Sequence, residues 1–520
     1  MKKHGYRLLS KLFILVWSFV LLGSFSSFGK GFGKGGGASR FREALADVLC
    51  SVDLLDVRVG AVVIDLETGR LLFGHNQDEL FNPASVSKLF TVAAALDILR
   101  PEYKFPTIFK SVSKPDKDGV LHGNLYVIGR GDPSLVSESM YTMVRSLREI
   151  GLKRVTGRLI VDESYFDEVK ENTGWNCDDS SAAYRARAGA FSLNFNSIRM
   201  MVRPGARPGL LAQVVVSPDC SYVKLENHVT TSRRRTWIKY SSHDDGKKTV
   251  IQLKGRIYYR SGPRRIYARV MDPAAYAGSV LAEMMNRQGI RIKRNPLVRP
   301  VPNDANNTIL VVNSPPLGQL VRNLFKKSNN FQAEQLLKVL GAHSAGAPGT
   351  WENGMRAVQG FLAGIGIRPG SYRYRNGSGL GDANLFTPMQ ITKLIRWVVL
   401  SSGISPEFLS ALPIAAADGT IRSRMADTSA DRNVRAKTGS LESVSALAGV
   451  VGGPGRGGLV FAMIMNGRLR GRIRQMWKFQ DAFAAILARK SNIGTEENKK
   501  NKDHSSGHNM FTGNVEHANH

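Results

Sequence analysis

Residues 40–52 (RFREALADVLCSV) carry apolar side chains at three- and four-residue intervals, which predicts a short amphipathic helix. The apolar run 59–66 and the segment 70–73 flank Glu67-Thr68-Gly69, predicting two antiparallel strands joined by a tight turn. Pro83 then offers a favoured first-turn residue for a helix over residues 84–99. Val86, Leu89, Phe90, Ala93, Leu96 and Ile98 are spread around that helix, so it is expected to be buried on all sides, and any polar side chain on it needs a reason.

Beyond Pro101 the segments VLHGNLYVIGRGDPSL and RVTGRLIVDESYF alternate in strand fashion between Gly, Asp and Pro turns, and a β-rich, basic pattern continues to about Val301. Helical periods return at 317–325 and 331–341, around a polar break at 326–330, and again at 351–364 and 387–400. Residues 444–451 and 459–465 read as apolar strands joined by GGPGRGG, and a closing helix carries Ile473, Met476, Trp477, Phe483, Ile486 and Leu487. Residues 491–520 lack periodicity and are expected to be a solvated, disordered tail, its histidines His504, His508, His517 and His520 included. Strands therefore open and close one mixed α/β unit, with β-rich material inserted between.

With 520 residues, 57.1 kDa and 42% apolar composition, the chain can bury a large core, which excludes a disordered protein. Its 72 Lys+Arg against 42 Asp+Glu, a formal charge of +30, would suit a nucleic-acid binder. The N-terminus argues otherwise: Lys2, Lys3, Arg7 and Lys11 precede an apolar stretch at 12–22 and then small and polar residues to Gly29. That order predicts an export signal at 1–29, because the stretch is shorter than the roughly 20 apolar residues that span a bilayer. A Gly-rich linker is expected at 30–38. An exported basic protein meets anionic membrane or cell-wall polymers first, so no nucleic-acid partner is expected. The basic excess concentrates at 231–310, with 17 Lys/Arg against five acids, including Arg233, Arg234, Arg235, Arg264, Arg265 and Arg294. Of the three cysteines, Cys50 is expected to be buried in its helix, and Cys177 with Cys220 could close one loop. No Cys/His spacing suggests a zinc site.

Three short motifs carry candidate chemistry. Ser85 and Lys88 stand three apart at the start of the buried helix and so share a face. A serine hydroxyl needs a base to become a nucleophile, and a lysine can be that base only when burial or a neighbouring cation depresses its pKa. Ser328-Asn329-Asn330 falls at the polar break between two helices, where it would either cap a helix or project a hydroxyl and an amide into a cleft. Lys437-Thr438-Gly439-Ser440 leads into the strand at 444–451, where a cation beside a residue without a side chain lets an extended peptide and its carboxylate approach.

In the order S-x-x-K, S-x-N, K-T-G, the chain resembles the low-molecular-mass penicillin-binding proteins of the D-alanyl-D-alanine carboxypeptidase/endopeptidase family that carry large insertions. Supporting blocks are Asn82-Pro83-Ala84-Ser85, Asn376-Gly377-Ser378-Gly379-Leu380, Asp418-Gly419-Thr420 and Ala446-Leu447-Ala448-Gly449, and the resemblance spans about residues 41–490. It implies an α/β (α+β) transpeptidase/β-lactamase-like domain, with an antiparallel sheet flanked by helices, from 39–104 and 314–490. An inserted domain would comprise 105–165 and 266–313, and a second would comprise 166–265. It further implies Ser85 as the acylated nucleophile, Lys88 as general base, and Ser328, Asn330 and Lys437 as the proton and charge network. Thr438, Gly439 and Ser440 would bind the substrate's terminal carboxylate and acyl oxygen. An acid with a tyrosine from the insert, Asp178 or Asp179 with Tyr184, would grip the peptide's diamino acid. The implied partners are peptidoglycan stem peptides and, as covalent inhibitors, β-lactam antibiotics, in the periplasm; no metal or organic cofactor is implied.

Overall fold

A computed structural model describes residues 37–53, 56–175, 180–453, 455 and 457–506. The expected export signal, most of the linker, Cys177, Asp178, Asp179 and the end of the chain beyond 506 lie outside the described residues.

Helix α1 (Gly37–Asp53) and strands β1 (Val57–Asp65) and β2 (Leu71–His75) open the chain. One 3-10 turn (Ala84–Ser87) leads into helix α2 (Lys88–Leu99). After a long insert five helices follow: α5 (Leu317–Lys327), α6 (Asn330–Ala345), α7 (Trp351–Gly364), α8 (Pro388–Leu400) and α9 (Ser405–Ala411). Strands β16 (Val434–Leu441), β17 (Val444–Val451) and β18 (Leu459–Gly467) and helix α10 (Ile473–Ser506) close the chain. The central sheet runs β16-β17-β18-β1-β2 and is antiparallel throughout. The strand that opens it and one that ends the fold are neighbours, Val57 pairing with Gly467 and Asp65 with Leu459.

Because side chains alternate along a strand, the sheet feeds two cores. Val62, Ile64, Ala446, Ala448, Val460 and Ala462 face the layer that contains α2, α6 and α8. Val59, Ala61, Val63, Leu447, Phe461 and Met463 face α1 and α10. Helix α1 buries Phe41, Leu45, Leu49 and Val52, a stripe that leaves Cys50 on the exposed side; the expected burial of Cys50 is thereby corrected. Helix α10 continues past 490 to Ser506, where composition alone suggested a tail. Among the described residues no helix is long and apolar enough to cross a membrane.

Within the insert, β3 (Pro106–Ser111), β5 (Leu125–Ile128), β7 (Leu159–Asp162), β14 (Leu297–Val298) and β15 (Asn307–Asn313) form a five-stranded sheet in the order β14-β7-β5-β3-β15, and β4 (Val120–Leu121) pairs with β6 (Arg154–Val155). Entry and exit strands lie side by side, Pro106 opposite Asn313, so the insert leaves and rejoins the rest of the chain at one place. Two further three-stranded sheets follow, β13-β8-β9 and β10-β12-β11, built from β8 (Ser197–Arg203), β9 (Gln213–Ser217), β10 (Val223–Ser232), β11 (Trp237–Asp244), β12 (Thr249–Tyr258) and β13 (Arg264–Arg269). Strand β13 runs through 265/266, where the sequence reading set a domain limit, because all of it pairs with β8.

The insert also holds two helices that strand alternation concealed. Helix α3 (Ser137–Glu149) buries Met140, Met143, Val144 and Leu147, and α4 (Pro273–Arg287) starts where the Asp272 carboxylate accepts the Ala275 N–H at 3.0 Å. Both follow Asp/Pro signals that read equally well as turns.

Candidate active site

Ser85 sits in the 3-10 turn ahead of α2, and Lys88 is the first residue of that helix, wholly buried. The turn is pinned from several sides: Asn82 Oδ1 accepts the Ala84 N–H at 2.8 Å, and Asn466 Oδ1 accepts the Asn82 N–H at 2.8 Å. Strand β16 lies directly against it, since a Cβ on Gly439 would come within 2.3 Å of the Pro83 carbonyl oxygen. Glycine at 439 is therefore required for the strand carrying Lys437 to reach the serine turn.

Lys88 Nζ donates to Ser85 Oγ at 2.8 Å, to Asn330 Oδ1 at 2.7 Å and to the Ser378 carbonyl at 2.6 Å. None of these partners carries a charge. Burial above all, and then the nearby Lys437 cation, hold the Lys88 pKa well below that of a free lysine, against the weaker opposing pull of Glu334. Asn330 and Ser328 reach the site because the break between α5 and α6 is sharp. Ser328 takes a left-handed conformation at the end of α5, with φ 54°, while Asn329 caps α6 by accepting the Gln332 N–H at 3.1 Å. The middle residue thus does the capping, which frees its neighbours for the cleft. Asn330 also donates to the Tyr184 carbonyl at 3.0 Å, tying the insert to the site.

Lys437 is likewise buried, and its Nζ donates to Ser328 Oγ at 2.8 Å and to the Thr438 carbonyl at 2.7 Å. Burial lowers its pKa to about 7. It lies on its own edge strand, β16, rather than on the lead-in to β17 that the sequence suggested. Thr438 Oγ1 donates to Thr420 Oγ1 at 2.8 Å, and Ser440 is exposed on the same strand. A cleft of about 880 Å³ has Ser85, Ser328, Asn330, Ser440 and Tyr184 in its walls, with Lys437 buried behind Ser328. Tyr184 lines it with its ring half exposed, while Asp179 lies outside the described residues.

Glu334, to which the sequence assigned no role, organises the site's floor. Its carboxylate accepts from Trp351 Nε1 at 2.9 Å, Trp175 Nε1 at 3.3 Å, the Ser378 N–H at 3.0 Å and the Gly377 N–H at 3.3 Å. It thereby fixes the loop whose Ser378 carbonyl holds Lys88. Its position one helical turn after Asn330 was the available signal. Glu334→Gln sets an amide NH₂ among four donors and is expected to cost about 2–4 kcal/mol in chemical denaturation. It also removes an anion that favours protonated Lys88, so any acid-side loss of activity should move to lower pH; movement to higher pH would refute this.

The family model for the D-Ala-D-Ala carboxypeptidase 3 (S13) family matches residues 41–490. The chain belongs to this family. It is 31% identical over 450 residues to a D-alanyl-D-alanine carboxypeptidase of Actinomadura sp. (strain R39), covering 84% of this chain and 82% of the relative. With the D-alanyl-D-alanine carboxypeptidase DacB of Haemophilus influenzae it shares 26% identity over 425 residues, 81% of this chain and 88% of the other. The crystal structure of penicillin-binding protein 4 from Haemophilus influenzae superposes with a TM-score of 0.73 at 24% identity, covering 88% of this chain and 99% of that one. The enzyme is accordingly a D-Ala-D-Ala carboxypeptidase of the S13 family, on a transpeptidase-like fold with inserted domains.

Proposed function

We propose that Ser85 is the nucleophile that D-Ala-D-Ala-terminated peptidoglycan peptides acylate, with Lys88 as its base. The observation that supports this most directly is the 2.8 Å contact between Ser85 Oγ and a buried Lys88 Nζ whose three partners are all uncharged. In the neutral form of Lys88, the Ser85 hydroxyl proton passes to Nζ while Oγ bonds to the carbonyl carbon of the penultimate D-alanine. Backbone N–H groups of Ser85 and Ser440 receive the developing oxyanion. Collapse of the tetrahedral intermediate breaks the peptide bond, and the leaving amine takes its proton through Ser328, which Lys437 holds at 2.8 Å. Water then hydrolyses the Ser85 ester by the reverse proton path, returning the serine. Thr438 and the Lys437 cation receive the terminal carboxylate, and Tyr184, with Asp179 near it in sequence, grips the diamino acid. A β-lactam enters by the same attack, its ring opening in place of peptide-bond cleavage, but no amine departs. The basic composition supports work at an anionic envelope surface in the periplasm.

Intact-mass measurement of the protein mixed with benzylpenicillin should show a single lasting adduct that maps to the peptide containing Ser85. An adduct on another residue, or none on folded protein, would refute the assignment. An adduct that disappears as the drug is consumed would instead indicate a β-lactamase.

A further inference from the structure

The basic residues of the insert are not alike. Arg287 and Arg294 pair with Glu283, an ordinary solvated arrangement. At one end of the sheet β10-β12-β11 the situation differs. Register places Thr230 opposite Arg256 and Arg256 opposite Trp237, while Leu211 bridges to Thr230 from the neighbouring segment. Directly paired residues share a face, so Thr230, Arg256 and Trp237 form one row across the three strands, extended by the bridged Leu211. In the next row stand His228, Lys254 and Lys239. The chain turns beyond the first row, at residues 232–236 and 258–264, and the segment before Leu211 is tied to the same end by the Gly205 N–H donating to Thr231 Oγ1 at 2.7 Å.

The segments 203–212, 232–242 and 254–265 together contain nine arginines and two lysines and no aspartate or glutamate. Among the described residues none of these cations is in an ion pair. Four large apolar side chains are exposed with them: Leu211 at 58%, Trp237 at 44%, Leu210 at 43% and Tyr259 at 36%. Arg256 lies 5.8 Å from the Trp237 ring and Arg260 5.1 Å from the Tyr259 ring.

We propose that this end of the inner insert docks on an anionic phospholipid surface, its arginines on lipid phosphates and Leu210, Leu211, Trp237 and Tyr259 in the headgroup zone. Arginine forks match phosphate oxygens two at a time, and aromatic rings suit the interface between headgroups and acyl chains. A soluble polyanion would use the charge but give two exposed leucines nothing to enter; a bilayer uses both. The opposite end of β11 meets the segment that carries Tyr184, with the Ser242 N–H donating to Ser181 Oγ at 2.7 Å, three residues before Tyr184. Trp237 is five residues further along that strand, roughly 17 Å away at the rise of a β-strand. Docking would therefore hold the cleft off the lipid, within reach of the wall. The proposal concerns a surface apart from the cleft and does not depend on the role of Ser85.

Co-sedimentation of the full chain with phosphatidylcholine vesicles, with and without about one phosphatidylglycerol in three lipids, tests it. Binding should be at least about tenfold tighter to the anionic vesicles, and the triple variant Arg233→Gln/Arg234→Gln/Arg235→Gln should lose on the order of a hundredfold on them. Leu211→Ser/Trp237→Ser should weaken vesicle binding about tenfold or more but leave retention on dextran sulfate unchanged. Both variants should acylate with benzylpenicillin like the parent if they are folded. Equal binding to both vesicle types, or unaltered anionic-vesicle binding by a folded triple variant, would overturn the proposal. Vesicle binding insensitive to the Leu211/Trp237 change would mark a site for soluble polyanions instead, and would also overturn it.

Discussion

Lys88→Met is expected to slow acylation of Ser85 by about 10³-fold or more, since it removes the group placed to take the serine proton. Methionine preserves the shape of the lysine stem within α2, and the fold should survive. At pH 7 the stability change should stay within about 2 kcal/mol: three hydrogen bonds are lost, but so is the cost of burying an ammonium group. The pH dependence has a definite sign. The folded-state pKa of Lys88 lies well below its unfolded value, so the unfolded chain binds the extra proton and the wild type gains stability as pH rises between the two. Denaturation midpoints at pH 7 and pH 9.5 should thus diverge in favour of the wild type. A variant that still acylates at a rate near the wild type would remove Lys88 from the mechanism.

Lys437→Met should produce the second large loss, about 10²-fold or more in kcat/KM for D-Ala-D-Ala peptides, because the proposed mechanism loses its counter-charge to the substrate carboxylate and the hold on Ser328. More telling is the pH profile. The Lys437 cation lowers the Lys88 pKa, and the proposed mechanism needs Lys88 neutral while Lys437 keeps its proton. Acid conditions protonate Lys88, and alkaline conditions deprotonate Lys437. Once Lys437 is gone, no adjacent cation depresses the Lys88 pKa, so the acid limb of acylation by benzylpenicillin should shift to higher pH. An acid limb that stays in place would show that burial alone sets Lys88.

Much of this arrangement is legible in the chain because its patterns are local. The apolar period of 84–99 and the polar break at 326–330 place Ser85, Lys88, Ser328 and Asn330 at the ends of helices, whereas Lys437 lies inside β16, a strand the alternation at 444–451 did not reveal. Ser328 and Asn330 illustrate the limit: composition allowed a cap or a cleft residue, and only the left-handed turn at Ser328, which lets Asn329 cap, separates the two. Glu334 was illegible as a hub because its donors come from Trp175, Trp351 and the Gly377–Ser378 backbone, brought together by tertiary packing. The helices at 137–149 and 273–287 were concealed for another reason. Their Asp and Pro signals serve turns and helix starts alike, and the neighbouring segments alternate as strands.

The pairing of β1 with β18 sets a timetable for the molecule. The strand that precedes Ser85 pairs on one side with a strand that ends at Gly467, on the far side of the whole insert in sequence. Contacts this distant in sequence form late and slowly, because a very long loop must close before they gain anything. The central sheet, and with it the lodging of Lys437 against the serine turn, is therefore completed after the insert has had time to fold. A chain truncated before β18 should accordingly contain Ser85 and Lys88 but no working pair, so that hydrolytic capacity depends on a strand remote in sequence from both.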